Sequence, residues 1–301
     1  MKEGVVIMKI RQSAADRIFM FFTYGLLLLF SLIVAYPIYF MCIASVSDPN
    51  AVMRGEVIFW FKDFTSLGYE RIFSNDTIFR SYGNSILYTV LGVSISLLLT
   101  IPTAFALSRR ELPGGSIITK LFVFTMYFYG GTVPTYLVVK QLGLLDSMFS
   151  LIFPTAIVTY NLVVARSFYI NSIPNELHEA ALLDGCSYTQ FFISIVLPLS
   201  KSIIAVMALF YTTKMWNGFM DALMYMNTEE KFPLQLVLRN ILVQSQAMAL
   251  LDDAEAVAEQ QKATELIKYG TVVIASIPML CLYPFIQRHF VSGVMLGAVK
   301  G

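Results

Sequence analysis

The chain has 301 residues, 57% of them hydrophobic and 14% charged. Water-soluble domains average about 45–50% apolar and about 25% charged, so this composition belongs to a polytopic membrane protein. A formal charge of +1 and a mean hydropathy of +0.68 argue against nucleic acid as a partner. Three cysteines (Cys42, Cys186 and Cys281) are odd in number and widely spaced, which gives neither a disulfide framework nor a metal site.

A helix needs about 20 mostly apolar residues to cross the hydrocarbon of a bilayer, and six stretches meet that length. The first, 17–44, follows a short polar segment, 1–16, and is too long for the apolar region of a cleavable signal. A mixed segment, 45–84, separates it from the second span, 85–107. Arg109 and Arg110 close that span. The third, 117–139, contains Gly130-Gly131 and Pro134, which weaken a helix. Irregular backbone at membrane depth is tolerated where it is buried or lines a cavity. The fourth span is 148–170 and the fifth runs from about 199 to 216. A second long connecting segment, 217–268, carries Leu234, Val237, Leu238, Ile241 and Leu242 at helical spacing, predicting a helix that packs on the membrane domain. Its later acidic part, "DDAEAVAEQQKATELIK", reads as a solvated helix. The sixth span is 269–287, and the tail is 291–301. The expected fold is all-α, with the membrane domain over 17–290.

Six spans place both termini on one side. Raw Lys and Arg counts barely separate the two sides. Arg109, Arg110 and Arg288 at span ends assign both termini, and the 173–198 loop, to the cytoplasm. The segments 45–84 and 217–268 then lie outside.

That loop is the most unusual part of the chain. "IPNELHEAALLDG" is polar between two apolar runs. Pro174 suits the first helical position, Glu176 suits the first turn, and Gly185 suits the stop. Leu177, Ala180, Ala181 and Asp184 fall on one side, and the small alanines let another surface approach. No Walker, HExxH or GxSxG pattern is present. His178 and His289, the two histidines, give neither a metal site nor an acid–base pair.

Glu179-Ala180-Ala181, three residues, Gly185, nine residues, then Ile195-x-Leu197-Pro198 resembles the EAA loop of ABC importer permeases, with no position departing from it. The resemblance implies the type I importer permease fold. It assigns Glu179, Ala180, Ala181, Asp184, Gly185, Leu197 and Pro198 to coupling with a cytoplasmic ATPase. "ALSRRELPG", "GGTVPTYLVVKQLGLLDS", "LFYTTKMWNGFMDALMYM", "FPLQLVLRNIL" and "FVSGVMLGAVKG" resemble the second permease subunit of oligosaccharide importers. That branch implies a related permease as heterodimer partner, two ATPase subunits, an extracellular sugar-binding protein, and a bacterial cell membrane location. It also implies a C-terminal tail that reaches the ATPases. The chain itself is then non-catalytic and binds no cofactor or metal, with ATP and Mg held by the ATPases. The EAA loop is shared across importers, so a peptide or amino-acid cargo is one alternative. A stand-alone secondary transporter is another.

Candidates for a sugar path are Tyr127, Thr135, Tyr136, Asn161, Tyr211, Lys214, Trp216 and Asn217, with Tyr160 beside them. Tyr rings stack on sugar faces and their hydroxyls bond to them. Helix packing or an interfacial aromatic belt accounts for any one of these residues equally well. Lys214 is the most informative. A cation within a span faces water, a paired acid or the interface, and acidic sugars are a cargo that would use it.

Overall fold

The computed structural model describes residues 13–248, 262, 264–265, 267–282 and 284. The tail, His289, the N-terminal dozen residues and most of the acidic stretch after 248 lie outside the described residues.

Every regular element among the described residues is helical. In chain order they are α1 (Ala14–Ala44), α2 (Pro49–Met53), α3 (Leu67–Phe73), α4 (Asp76–Ser108), α5 (Gly115–Tyr127), α6 (Thr132–Gln141), α7 (Phe149–Ile152), α8 (Thr159–Ser172), α9 (Asn175–Leu183), α10 (Tyr188–Phe191), α11 (Leu197–Leu199), α12 (Lys201–Asn217), α13 (Met220–Tyr225), α14 (Leu234–Met248) and α15 (Ile267–Leu282).

Two helices, α1 and α4, are each long and apolar enough to cross a membrane without a break. Two expected spans, the third and the fourth, are instead bent pairs, while the fifth is α12, bent against the segment before it. α5 and α6 meet at 118°, where Gly131 takes φ +96°. The segment from α7 through the 3-10 turn Phe153–Thr155 meets α8 at 49°. The Tyr188–Leu199 segment meets α12 at 78°. The third span expected over 117–139 is two arms around the Gly-Gly break, where the sequence already weakens the helix. α15, the sixth apolar element, covers 267–282 of the span expected over 269–287, the rest of which lies mostly outside the described residues.

α4 organises the bundle. It begins at Asp76, nine residues before the expected 85, because Asn75 caps it: the Asn75 side chain accepts from the Thr77 and Ile78 amides. This shortens the connecting segment expected over 45–84. Along α4, Ser81, Ser85, Thr89, Gly92, Ser96, Thr100 and Ala104 are all buried and recur every three or four residues. In lipid, helices associate by close van der Waals contact, and a ridge of small residues permits it. α8 and α12 pack along this ridge. At Gly92 an added Cβ would meet the Met215 side chain at 3.0 Å.

α14 packs as its periodicity predicts. Leu234, Val237 and Leu238 are buried, and the Leu234 amide donates to Ser85 Oγ at 2.8 Å. α1 is the opposite case: the most apolar window of its 31 residues has no buried position. Its last part meets other described elements, where Tyr36 and Tyr39 donate to the Ile58 and Phe59 carbonyls and Phe40 sits edge-on to Tyr269.

Candidate functional site

α9 is set by its ends. Pro174 is the N-cap rather than the first helical residue, so the expected register is corrected by one position. Glu176 occupies the first turn, where the N–H groups favour an acid. At the other end Gly185 takes φ +76°, its amide donates to the Leu182 carbonyl, and the Cys186 amide donates to the Ala181 carbonyl. This is the paired closure that a left-handed residue makes possible, and glycine adopts that conformation without strain. Nothing lies within 4 Å of a Cβ added there, so backbone conformation alone demands the glycine.

The face that α9 buries differs from the expected one. Ala181 is turned inward, joined by His178, which is 5% exposed. The His178 ring lies 4.9 Å from that of Tyr188 and 5.1 Å from that of Phe191, and its Nε2 is buried with no partner. His178 is the side chain that seats α9 on α10. Sequence reasoning passed over it, looking for acid–base chemistry rather than a ring contact ten residues away. Glu179, Ala180, Leu182 and Asp184 stay exposed, and Leu183 is 90% exposed. The outward surface is thus acidic and leucine-rich, with one small residue rather than two.

Behind α9 an aromatic cluster ties this loop to the bundle. Phe105 near the end of α4 contacts Tyr169 of α8 edge-on at 5.7 Å, Phe191 at 6.1 Å and Phe192 at 5.0 Å. Arg109 lies over the Phe105 ring at 4.9 Å. The chain then runs through a π-helical turn, Phe192–Val196, into α11. Pro198, the second residue of α11, lacks the N–H that would extend a regular ladder. Leu197 is half-buried and Pro198 exposed. Ser200 is fully buried at the bend, and its hydroxyl donates to the Val196 carbonyl at 2.6 Å.

The family described as "Binding-protein-dependent transport system inner membrane component" matches residues 72–296. The chain belongs to this family. It is 42% identical over 95% of its length to the polygalacturonan/rhamnogalacturonan transport system permease protein YtcP of Bacillus subtilis, covering 99% of that protein. It is 41% identical to the protein LplC of the same organism, over 88% of this chain and 89% of LplC. Among solved structures it is similar to a chain of a bacterial ABC transporter involved in import of the acidic polysaccharide alginate. There the TM-score is 0.83 and the identity 32%, covering 93% of this chain and 99% of that one. The chain is a membrane-embedded permease of the type I ABC importer fold.

The candidate path residues of this permease separate into groups. Tyr211 is fully buried, its hydroxyl shared with Thr100 at 2.6 Å and accepting from the Val158 amide at 3.2 Å. Trp216 is also buried, with Nε1 donating to the Ala275 carbonyl at 3.0 Å. Each ties α12 to its neighbours by packing, and Trp216 also borders the cavity that Asn217 lines. Asn161 is buried in α8. Thr135 donates to the Gly131 carbonyl at 2.9 Å, closing the first turn of α6. Tyr136 stacks on Tyr225 with centroids 6.2 Å apart. Tyr127 and Tyr160 are exposed.

Lys214 and Asn217 stay exposed on α12. Lys214 lines a cavity of about 30 Å³ with Asp221, Ser85, Tyr88 and Thr155. No carboxylate lies within ion-pair distance of its ammonium among the described residues. Burial holds the Asp221 carboxyl above the usual carboxylate range, an effect that nearby Lys214 opposes. Asn217 lines a separate cavity of about 890 Å³ with Thr213, Gln235 and Arg239, between α12, α14, α15 and the end of α1.

One cluster had no sequence signal. Asp146, in the α6–α7 connection, accepts from Lys231 Nζ at 2.7 Å, the Thr228 hydroxyl at 2.7 Å, and the Thr228 and Asn227 amides at 3.0 Å each. Its own amide donates to the Tyr225 carbonyl at 2.8 Å. Asn84 Nδ2 and the Tyr88 hydroxyl grip the same strip through the Glu230, Phe232 and Lys231 carbonyls. The α13–α14 connection is thereby fastened to α4 and to the α6–α7 connection.

Proposed function

We propose that this permease carries an oligosaccharide, delivered by an extracellular binding protein, through alternating access driven by separate ATPase subunits. In this reading it is non-catalytic. It pairs with a related permease, both termini are cytoplasmic, and ATP and Mg are held by the two ATPases of a bacterial plasma-membrane complex. The observation that carries the coupling role is α9 itself. Its inner face is seated by His178 and Ala181, while the Glu179 and Leu183 side chains project outward with no hydrogen bond or ion pair to another described residue. A surface ordered from behind and unused in front fits a cleft in a partner.

The test uses the reconstituted importer with Glu179→Lys and, separately, Gly185→Leu. Uptake is expected to fall at least about tenfold, the equivalent of 1.4 kcal/mol of lost coupling, while the chain still inserts and α4, α8 and α12 remain packed. Normal uptake and normal cargo-stimulated ATP hydrolysis in both variants would remove α9 from the mechanism.

We further propose that the cargo is acidic. Polygalacturonan and alginate, named for two of the similar proteins, are polymers of sugar acids. Lys214 is the matching feature of this chain, an exposed cation at the cavity it shares with Asp221, without an ion-pair partner among the described residues. Lys214→Gln is expected to weaken uptake of a uronate oligosaccharide by about tenfold and to leave a neutral one unchanged. Equal effects on the two cargoes would refute the acidic reading.

A further inference from the structure

The α4–α5 junction holds a cavity of about 670 Å³ that the transport cycle does not use. Four cations line it: Arg109, Arg110, Lys120 and Arg166. None has a carboxylate within ion-pair distance among the described residues. Glu111, the acid of the same loop, lines a neighbouring cavity that Arg109 also borders, and is not in ion-pair contact with it. From this arrangement we infer that the cavity binds the phosphate headgroup of an anionic phospholipid.

The cations are held in place before any ligand arrives. Arg109 is only 9% exposed, a high degree of burial for a guanidinium with no acid in contact. Its Nε donates to Ser108 Oγ and its face rests on Phe105, which leaves the other N–H donors of the fork for a ligand. Arg166 Nε donates to the Leu107 carbonyl at 2.8 Å and is fixed in the same way. The N-terminus of α5 opens into the cavity. Gly114 at its N-cap has φ +74° and no side chain, so no side chain caps Ser116 or Ile117. Free amides at a helix N-terminus add donors and partial positive charge to such an anion site.

The surroundings favour a lipid over a soluble anion. From the cavity rim, Ile117, Leu121 and Phe124 run along α5 at i, i+4 and i+7, exposed to 65%, 60% and 54%. A phosphate seated among the cations would lay its acyl chains along that stripe. Basic pockets between helices at the membrane surface suit such headgroups. The site lies at the same end of the bundle as α9: Arg109 shares the neighbouring cavity with Tyr188, the ring that holds His178. A bound lipid would wedge α4 and α5 beside the coupling helix. The inference rests on the chain being embedded in a membrane and is independent of the cargo.

The experiment is native mass spectrometry of the assembled importer released from nanodiscs of phosphatidylglycerol or of phosphatidylcholine. The wild type is expected to retain phosphatidylglycerol and not phosphatidylcholine. Arg110→Gln combined with Lys120→Gln removes two exposed cations and is expected to cut retention by about tenfold or more. Arg110→Lys with Lys120→Arg, which keeps the charges, is expected to restore it. Four results would overturn the proposal: equal retention by wild type and the charge-removing variant, equal loss in both variants, full displacement of the lipid by inorganic phosphate alone, or loss of the ATPase subunits with lipid retention unchanged.

Discussion

Asp146 sits at φ +55°, a left-handed conformation that few side chains adopt. Around it, the Lys231 ammonium first, then the Thr228 hydroxyl and the Thr228 and Asn227 amides, hold its carboxyl well below the usual carboxylate range. A carboxyl with a depressed folded-state pKa stabilises above its unfolded value of about 4 and loses that contribution as pH falls below it. Asp146→Asn keeps the shape and tolerates the backbone conformation but removes the charge. The variant is expected to melt lower than wild type at pH 7 and to show a flatter decline between about pH 4 and pH 2, read by thermal unfolding in detergent. An unchanged pH profile would mean the clasp adds nothing. Lys231 lies 85 residues from Asp146. No local pattern announces a pair that only the fold brings together, and for the same reason sequence missed the His178 seat. Tyr211 and Trp216 are ambiguous in the sequence for another reason. Their amphipathic rings serve a sugar path and a packed core equally well, and periodicity does not distinguish the two.

Where information is local, the helices were legible. α9 announced its span through Glu176, Gly185 and the run between them, and the error was one residue at Pro174. α14 announced its buried face through period alone. α4 was cut short because Asp76, Arg80, Ser81 and Asn84 read as loop, although Asn75 is a strong N-cap signal. Ser81 is buried, and Ser85 and Asn84 hold the α13–α14 connection. The small-residue ridge of α4 makes a direct claim about packing. Ser96 and Ala104 have no exposed surface, so Ser96→Leu or Ala104→Leu is expected to destabilise the bundle by about 1–3 kcal/mol or more, while Leu98→Ala on the exposed face changes little. Melting temperatures of the three variants give the comparison, and tolerance of both leucines would show that α8 and α12 do not depend on close approach.

Across the assembled chain, the helices fall into a packed unit around α4, α8 and α12 and a detached one, α1. Deleting residues 1–44 is expected to lower the melting temperature of the remainder by no more than about 4 °C, since α1 lends the bundle only its terminal contacts. A large drop would place α1 in the stability core. Composition alone announced the all-helical membrane class. The bends were not announced as angles: Gly130-Gly131 and Pro198 marked where a helix weakens, and tertiary contacts decide how far it turns.

The bend at Ser200 has a mechanical reading. The segment Tyr188–Leu199 is about 18 Å long and α12 about 25 Å long at 1.5 Å per residue, and they join at nearly a right angle around a buried, bonded serine. Were the two arms to turn as one body about this joint, they would act as a bell-crank, a push on one arm swinging the other. The arm lengths set the gain at about 1.4, so a shift of about 2 Å beside α9 would displace the Asn217 end by about 3 Å.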